Sequence, residues 1–369
     1  MTLSPEDNLR LNVLLANTLQ AIRIDESKMI IYGLSEKGEA KIYLHPNCRH
    51  EKYLRQIREV IASYLRNSSG VYPVYLRNWG QMGETQDENL SQWLMLGEAE
   101  AVVAVANASG LTPELARRVW WSMPNSDNAR SMLKNPNLVT SEFGKELAQY
   151  IIEYLPFEEE QVNIIESVRL VLQADLISEE ICQKLWTRTR NTNSYLIGFL
   201  WTRPDNLPIQ VNEHADFKDI NFKLTSLVEN NLATQLIKIT SATGQSFLHI
   251  FKRILHKPSD QEVVNILFNV VTNYFSKIYP PKYNDDMTIE ELLEQAEKAC
   301  DSAQEILILL PESRKAIKAM LVLSGLNYSI LRPIFSKTTA IGSLMRKKLL
   351  PVTKPIFEQI NILQNERIL

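Results

Sequence analysis

A motif of nine residues occurs twice in the middle of the chain, at an offset of 66 residues. The first copy covers 112–120 and the second covers 178–186. Each copy opens on a hydroxyl residue that can cap a helix and spaces its apolar residues at helical intervals. Each then closes on a tryptophan, Trp120 or Trp186. A capped amphipathic helix that recurs at a fixed offset is typical of stacked helical repeats, so the motif predicts a mostly helical body.

The bulk properties place the chain among ordinary globular proteins. Of its 369 residues, 45% are hydrophobic and 22% are charged, which argues against wholesale disorder. A net charge of −3 is too near balance for a general nucleic-acid binder or a membrane-surface protein. The 3 scattered cysteines favour a reducing compartment, and the polar start predicts no signal peptide. Its apolar runs are too short for a membrane span, so a soluble, cytoplasmic protein is expected.

Residues 1–83 predict a small α+β module. Ser4 and the proline after it predict the start of a helix, and a second amphipathic helix is predicted over 53–65. Short β-branched runs predict four strands, with a hairpin turn between the second and the third. These strands are predicted at 21–24, 29–32, 40–44 and 71–76.

The rest of the chain predicts helices. Residues 84–204 form the predicted helical repeat region, in which prolines punctuate the helices, and 205–369 form a predicted C-terminal helical domain. Capping boxes at Ser259 and Thr288 predict two helix starts, the second opening a long helix that reaches Leu310. Shorter helices are predicted to finish the chain. The predicted fold class is therefore mostly α, or α+β overall, with HEAT-like stacked helices after the N-terminal module.

The second half of the first motif carries the strongest candidate binding surface. On a helix, Trp120 faces inward with the other apolar residues, which leaves Trp121 one step around the wheel. Arg117 and Trp121 are four residues apart, so the guanidinium could stack on the indole, with Arg118 beside them. Exposed tryptophan and arginine are enriched in binding surfaces. The alternative is that both indoles belong to the core.

A loop around Cys48 holds the densest chemical cluster. His45, Arg49 and His50 surround the thiol and would lower its pKa, which makes Cys48 a candidate reactive thiol or sulfur carrier. No second pair of ligands lies at zinc-site spacing, so neither a metal site nor a cofactor is predicted. The alternative is a polar loop between a strand and a helix. Cys182 and Cys300 are expected to be small buried residues.

Two charged stretches and the lack of known catalytic motifs also bear on the function. Asp285 and Asp286 lack the spacing of a magnesium motif and are expected to be a solvated helix start. The basic stretch 346–348 could bind RNA or anionic lipid, but a helix with a solvated charged face is favoured. The chain has no dinucleotide, Walker, serine-elbow or zinc-protease sequence. The prediction therefore leans against an enzyme.

Five segments of the chain point to a known family. They are LSPEDNLRLNVLLAN (3–17), QAIRIDES (20–27), YPVYLR (72–77), LGEAEAVVAV (96–105) and IEYLPFE (152–158). Together they resemble the DsrS family, soluble proteins associated with the dissimilatory sulfite reductase system of sulfur-metabolising bacteria, and the resemblance covers at least the first 200 residues. The resemblance implies a cytoplasmic setting and an accessory or regulatory part in sulfur oxidation. It implies no catalytic residues.

These observations predict a non-catalytic accessory or regulatory protein that binds protein partners of the sulfur-oxidation system. Its predicted contact surface contains Arg117, Arg118 and Trp121. Two alternatives stay open. In the first, Cys48 handles sulfur as a reactive thiol; in the second, the basic C-terminus binds RNA, which is not favoured.

Overall fold

The computed structural model describes residues 3–69, 87–189, 192–280, 287–337 and 340–368. The chain forms two compact units. The first unit comprises Met1–Pro156 and Ala174–Ile177, and the second comprises Phe157–Gln173 and Ser178–Leu369. The predicted helical repeat region therefore contributes residues to both units. The predicted boundary at 83 and 84 falls outside the described residues.

The first unit opens with the predicted α+β module. Its helices are α1 (Pro5–Ala16) and α2 (His50–Ser69). Its strands form an antiparallel sheet in the order β1 (Leu19–Asp25), β2 (Ile30–Ser35) and β3 (Gly38–Tyr43). The first three predicted strands are confirmed, and the strand predicted at 71–76 lies outside the described residues.

Local signals explain the shape of this module. The Ser4 side chain accepts a hydrogen bond from the backbone N–H of Asp7, which caps α1 as predicted. Ser35 pairs with Gly38 at the predicted hairpin turn, and Gly38 has a φ of +114°, a conformation that glycine adopts without strain. The backbone N–H of Ile22 donates to the carbonyl of Leu94 at 2.9 Å, which attaches the following helical segment to β1.

Six further α-helices lie in the described part of the first unit. They are α3 (Asp87–Trp93), α4 (Ala99–Ala106), α5 (Pro113–Ser122), α6 (Ser126–Met132), α7 (Pro136–Val139) and α8 (Glu142–Tyr154). The returning segment Ala174–Ile177 adds Leu176 to the core of this unit, where it is buried beside Gly144. A Cβ on Gly144 would lie 3.2 Å from Cδ2 of Leu176 and 2.1 Å from the carbonyl oxygen of Leu138. Glycine is therefore required at this contact.

Helices make up the described part of the second unit. They are α9 (Gln161–Val171), α10 (Glu179–Arg188), α11 (Asn193–Thr202), α12 (Phe217–Leu224), α13 (Asn231–Thr240), α14 (Ala242–His256), α15 (Gln261–Tyr274), α16 (Ile289–Ala299), α17 (Gln304–Leu309), α18 (Arg314–Ser324), α19 (Tyr328–Phe335) and α20 (Gly342–Asn365). Gly198 of α11 lets that helix approach α9 closely. A Cβ at this position would lie 2.6 Å from Cγ1 of Val168. The mostly α fold with α+β character is confirmed.

The repeated sequence motif forms the same local structure in both units. Helices α5 and α10 each have 10 residues, and Thr112 and Ser178 cap them through a backbone N–H three residues on. Neither tryptophan is widely exposed, although neither is fully buried. Trp120 is half-buried and packs edge-on against Tyr150, with the ring centroids 4.7 Å apart. Trp186 is also half-buried and packs in the same way against Phe199 at 5.0 Å, because each motif places its indole at the margin of a core.

Two helix predictions in the second unit need correction. Thr288 forms the predicted capping box with Glu291, but the helix does not run to Leu310. It ends at Ala299, and a 3-10 turn at Cys300–Ala303 precedes a separate short helix. That turn lets the Arg314 side chain reach Asp301 at 3.0 Å. The other capping box does not form, because Asp260 rather than Ser259 caps the helix. The Asp260 side chain accepts a hydrogen bond from the backbone N–H of Val263.

The C-terminal helix is longer than predicted. Helix α20 has 24 residues and continues through Pro351 and Pro355, although each proline removes a backbone donor. A buried stripe along the helix offsets that loss, since burial of apolar side chains outweighs local preference. The stripe consists of Met345, Leu349, Val352, Ile356, Ile360 and Leu363.

Candidate binding site

Trp121 lies in the last turn of α5, where the structure surrounds it with side chains from the sheet. Thr112, Pro113 and Glu114 supply the cap, the first-turn proline and the first-turn acid that start this helix. The indole is half-buried, and its Nε1–H donates to Oε2 of Glu39 on β3 at 2.9 Å. The position that the sequence singled out is therefore part of a built contact and not an isolated surface indole.

Arg23 of β1 is the cation that stacks on Trp121. Its guanidinium carbon lies 4.9 Å from the Trp121 ring centroid and 4.5 Å from that of Tyr32. Arg23 Nη1 also donates to the backbone carbonyl of Trp121 at 3.2 Å, and Nη2 donates to Glu39 at 3.4 Å. Each cation–π contact of this kind contributes about 0.5–1 kcal/mol at exposed sites. We call Arg23, Tyr32, Glu39 and Trp121 the Trp121 cluster.

The sheet register explains why Arg23 and Tyr32 meet. These residues are direct cross-strand partners in the antiparallel pairing of β1 with β2. Side chains directly opposite one another on a sheet lie within contact distance, so the ring and the guanidinium share one face. The sequence predicted the strands but missed the cluster. The alternation of residues in β1 and β2 gave the only available signal for it.

Arg117 does not make the contact that its spacing to Trp121 predicts. Its guanidinium lies 4.5 Å from the ring centroid of Phe143 and donates to Oε1 of Glu146 at 3.1 Å, both on α8. Arg118 is largely buried and pairs with Glu114 one turn earlier on its own helix. Neighbouring α8 thus supplies Arg117 with a ring and a carboxylate. Arg23 takes the place beside Trp121.

A cleft of about 420 Å³ adjoins the Trp121 cluster in the first unit. Arg23 and Tyr32 form part of its wall, with Asp25 from the end of β1, Lys28 from the turn after it and Glu98 from the start of α4. Burial raises the pKa of Glu98, and the nearby Arg58 charge only partly opposes that shift. Hydrogen bonds from Ser27 and Lys28 lower the pKa of Asp25. The cleft therefore presents charges of both signs beside aromatic rings, a composition suited to binding a polypeptide segment.

Cys48 lies in the loop between β3 and α2, with its side chain half-buried. Its thiol donates to the carbonyl of Arg49, with the sulfur 3.7 Å from the oxygen. By contrast, Cys182 and Cys300 are buried. Burial raises the pKa of the Cys182 thiol and raises that of Cys300 to about 11. Cys48 is therefore the most accessible thiol of the protein.

The histidine that precedes Cys48 in the loop is joined to a buried carboxylate. The backbone N–H of His45 donates to Oδ2 of Asp7 at 2.7 Å, and Nδ1 lies 3.4 Å from Oδ1. Tyr53 donates its hydroxyl to the same carboxylate. Within the described ranges, no three His, Cys, Asp or Glu residues lie close enough together to hold a metal ion.

The basic C-terminal stretch lies on α20. Arg346 donates to the backbone carbonyl of Pro258 at 3.4 Å, while Lys347 and Lys354 are exposed. Leu344 and Leu350 are also exposed on this helix. Among the described residues, no helix is both long enough and apolar enough to cross a bilayer.

Comparisons with known proteins returned no match. No family model matched the chain, and neither did a curated protein or a solved structure. The geometry of the described residues therefore carries the functional argument.

Proposed function

We propose that the protein is a non-catalytic interaction protein that binds a protein partner through the Trp121 cluster and the adjoining cleft. The resemblance of its sequence to an accessory family suggests that this partner belongs to the sulfur-oxidation system of the bacterial cytoplasm. One observation carries the proposal. Arg23 lies between the rings of Tyr32 and Trp121 at the wall of an open cleft.

The composition of the cluster supports this proposal. Tryptophan, tyrosine and arginine are the residues that most often dominate the binding free energy of protein interfaces. Here all three are held in place before any partner arrives, because the cross-strand register and the Glu39 hydrogen bond fix them. Preorganised side chains lose little conformational entropy on binding, which favours affinity.

A partner carboxylate is the group that this cluster suits best. Glu39 already occupies Arg23 Nη2 and the indole N–H, and its side chain is 42% exposed. A carboxylate of the partner could replace Glu39 at both donors without leaving either donor unpaired. The proposal therefore specifies a partner segment with an acidic residue next to an apolar one.

The test uses the protein to capture its partner from a lysate of a sulfur-oxidising bacterial host. It also measures the rate of sulfur oxidation in that host. Trp121→Ala and Arg23→Ala should each weaken capture of the same partner at least about 30-fold, the effect of losing about 2 kcal/mol at an interface. Arg188→Ala, an exposed arginine change in the second unit, is the matched control and should leave capture unchanged. Arg117→Ala, tested beside them, shows whether the surface extends along α5.

Each part of the proposal can fail separately. Undiminished capture by Trp121→Ala and Arg23→Ala would refute the surface. A partner with no link to sulfur chemistry, together with normal sulfur oxidation in a deletion strain, would refute the pathway and leave the surface standing.

A sulfur-handling role for Cys48 is the second candidate, favoured by the accessibility of this thiol relative to the two buried ones. A persulfide forms when the Cys48 thiolate attacks the outer sulfur of a donor persulfide, which breaks the S–S bond of the donor and releases the donor thiolate, and a serine hydroxyl cannot hold or exchange that sulfur. Cys48→Ser should therefore stop sulfur oxidation in the host if this candidate is right. The binding proposal expects a nearly normal rate, and Cys182→Ser with Cys300→Ser serves as the comparison.

A further inference from the structure

A second cavity lies in the second unit, at the ends of three helices, and has a volume of about 360 Å³. Trp201 comes from the end of α11, Gln235 and Lys238 come from α13, and Tyr274 is the last residue of α15. Lys277 follows in the next turn. A cavity of this size is within the range that encloses a small organic molecule.

Aromatic rings form one side of this cavity, and their positions are fixed from behind. The Tyr274 ring stacks on Phe247 with centroids 3.8 Å apart and planes 10° from parallel. Trp201 is 36% exposed, and the Arg169 guanidinium lies 5.3 Å from its ring centroid. An indole with an accessible face offers a stacking platform for a planar ligand.

Two lysines line the cavity, and one of them forms an ion pair with a carboxylate outside the lining. Among the described residues that line it are Lys238 and Lys277, and no carboxylate is among them. Asp205 lies behind Lys238 and accepts from its Nζ at 2.7 Å, while the same Nζ lies 4.3 Å from the Tyr274 ring centroid. The carboxylate and the ring thus hold the ammonium group at the wall of the cavity.

One buried polar atom of the lining residues has no hydrogen-bond partner among the described residues. It is Nε2 of Gln235. Gln235 is only 5% exposed, so water does not compensate for the missing bond. Leaving such a group unpaired costs about 1–3 kcal/mol, and native proteins keep few of them. This amide is therefore a donor that a bound ligand could satisfy, whereas the Tyr274 hydroxyl interacts with Asp205.

We propose that this cavity binds a small planar aromatic anion. The ring of the ligand lies on Trp201, and its anionic group pairs with Lys277 and shares the Lys238 ammonium group with Asp205. A rotation of the Gln235 amide brings a donor toward an acceptor atom of the ligand. This site is independent of the Trp121 cluster, which belongs to the first unit.

The test measures binding of two aromatic anions and their neutral counterparts by calorimetry on the full chain. Indole-3-acetate represents a carboxylate and adenosine monophosphate represents a phosphate, with indole-3-acetamide and adenosine as neutral controls. At least one anion should bind with a Kd of about 1 mM or lower, and its neutral counterpart about 10-fold more weakly. The anion that binds distinguishes a carboxylate ligand from a phosphate ligand.

Variants connect the binding to this cavity. The pair Lys238→Met with Lys277→Met, and separately Trp201→Ala, should each weaken binding about 10-fold. Lys223→Met, at an exposed lysine of α12, is the matched control and should change nothing.

Three results would overturn the proposal. The first is that neither anion saturates the protein below about 10 mM. The second is that the neutral compounds bind as tightly as the anions. The third is that the Lys and Trp variants bind the anion as tightly as Lys223→Met does.

Discussion

The hydroxyl of Tyr53 donates a hydrogen bond of 2.6 Å to Oδ2 of Asp7, and both side chains are fully buried. This contact joins the first helix of the chain to α2. The same carboxylate accepts from the backbone N–H of His45, so one buried charge ties a loop and two helices together. A buried carboxylate is stable only when donors surround it, as they do here.

Removal of that carboxylate should destabilise the first unit strongly. Asp7→Ala removes the acceptor of the His45 N–H and leaves the buried Tyr53 hydroxyl with only the longer contact of 3.4 Å to Ser4 Oγ, and we expect a loss of about 2–4 kcal/mol. Urea unfolding followed by circular dichroism measures this loss. Glu6→Ala, at the exposed acid one residue before, is the control and should change stability by less than about 0.5 kcal/mol. Equal effects of the two changes would contradict the role of Asp7.

The same carboxylate predicts a loss of stability in acid. Burial raises the pKa of Asp7, but the hydrogen bonds from Tyr53 and His45 outweigh it, so the pKa is lowered overall. A lowered pKa in the folded state contributes stability that is present above the unfolded value of about 3.9 and is lost as the pH falls through the folded value. Asp7→Asn should therefore unfold with a weaker dependence on pH below about pH 4 than the unaltered protein. If the free energy of unfolding fell equally steeply with pH for both proteins, Asp7 would not be the group responsible for the loss of stability in acid.

Glu98 predicts the opposite pH dependence. Because burial raises its pKa, the folded protein holds this proton more tightly than the unfolded chain does. Its contribution is fully present below the unfolded value of about 4.3 and is lost as the pH rises through the folded value. Glu98→Gln should therefore melt at a higher temperature than the unaltered protein at pH 7, with the difference vanishing near pH 4. Glu59→Gln, at an exposed acid of α2, should show no such gain.

Gly198 predicts a steric effect in the second unit. Gly198→Ala places a methyl group against Val168, and we expect a loss of about 1–3 kcal/mol from overpacking. Val168→Ala makes room for that methyl group, so the double variant should be more stable than the sum of the two single changes predicts. Urea unfolding of all four proteins gives the interaction free energy. An additive double variant would show that α9 and α11 adjust independently.

The sequence predicted those parts of the structure whose causes are local. Ser4, Thr112 and Thr288 each cap a helix as predicted, because a cap depends on the residues of one turn. The hairpin at Gly38 follows from turn chemistry in the same way. The path of α20 through Pro351 was missed, since burial against distant helices decides it.

The Trp121 cluster could be predicted only in part. The sequence singled out Trp121 as an indole outside the core, and the spacing of four residues favoured Arg117 as its cation. The structure places Arg23 there instead, a residue 98 positions away in the chain. No periodicity within α5 encodes which strand the helix packs against. The long-range partner therefore needs the folded chain to be known.

The returning segment Ala174–Ile177 has a consequence for synthesis on the ribosome. Leu176 belongs to the core of the first unit, yet 17 residues of the second unit precede this segment. A growing chain therefore cannot complete the first core when residue 156 emerges, and it must wait until residue 177 has left the exit tunnel. Proteins of this kind fold as units in the order of their synthesis. Here part of the second unit is synthesised before the last segment of the first unit, so the second unit begins to emerge before the first can finish folding.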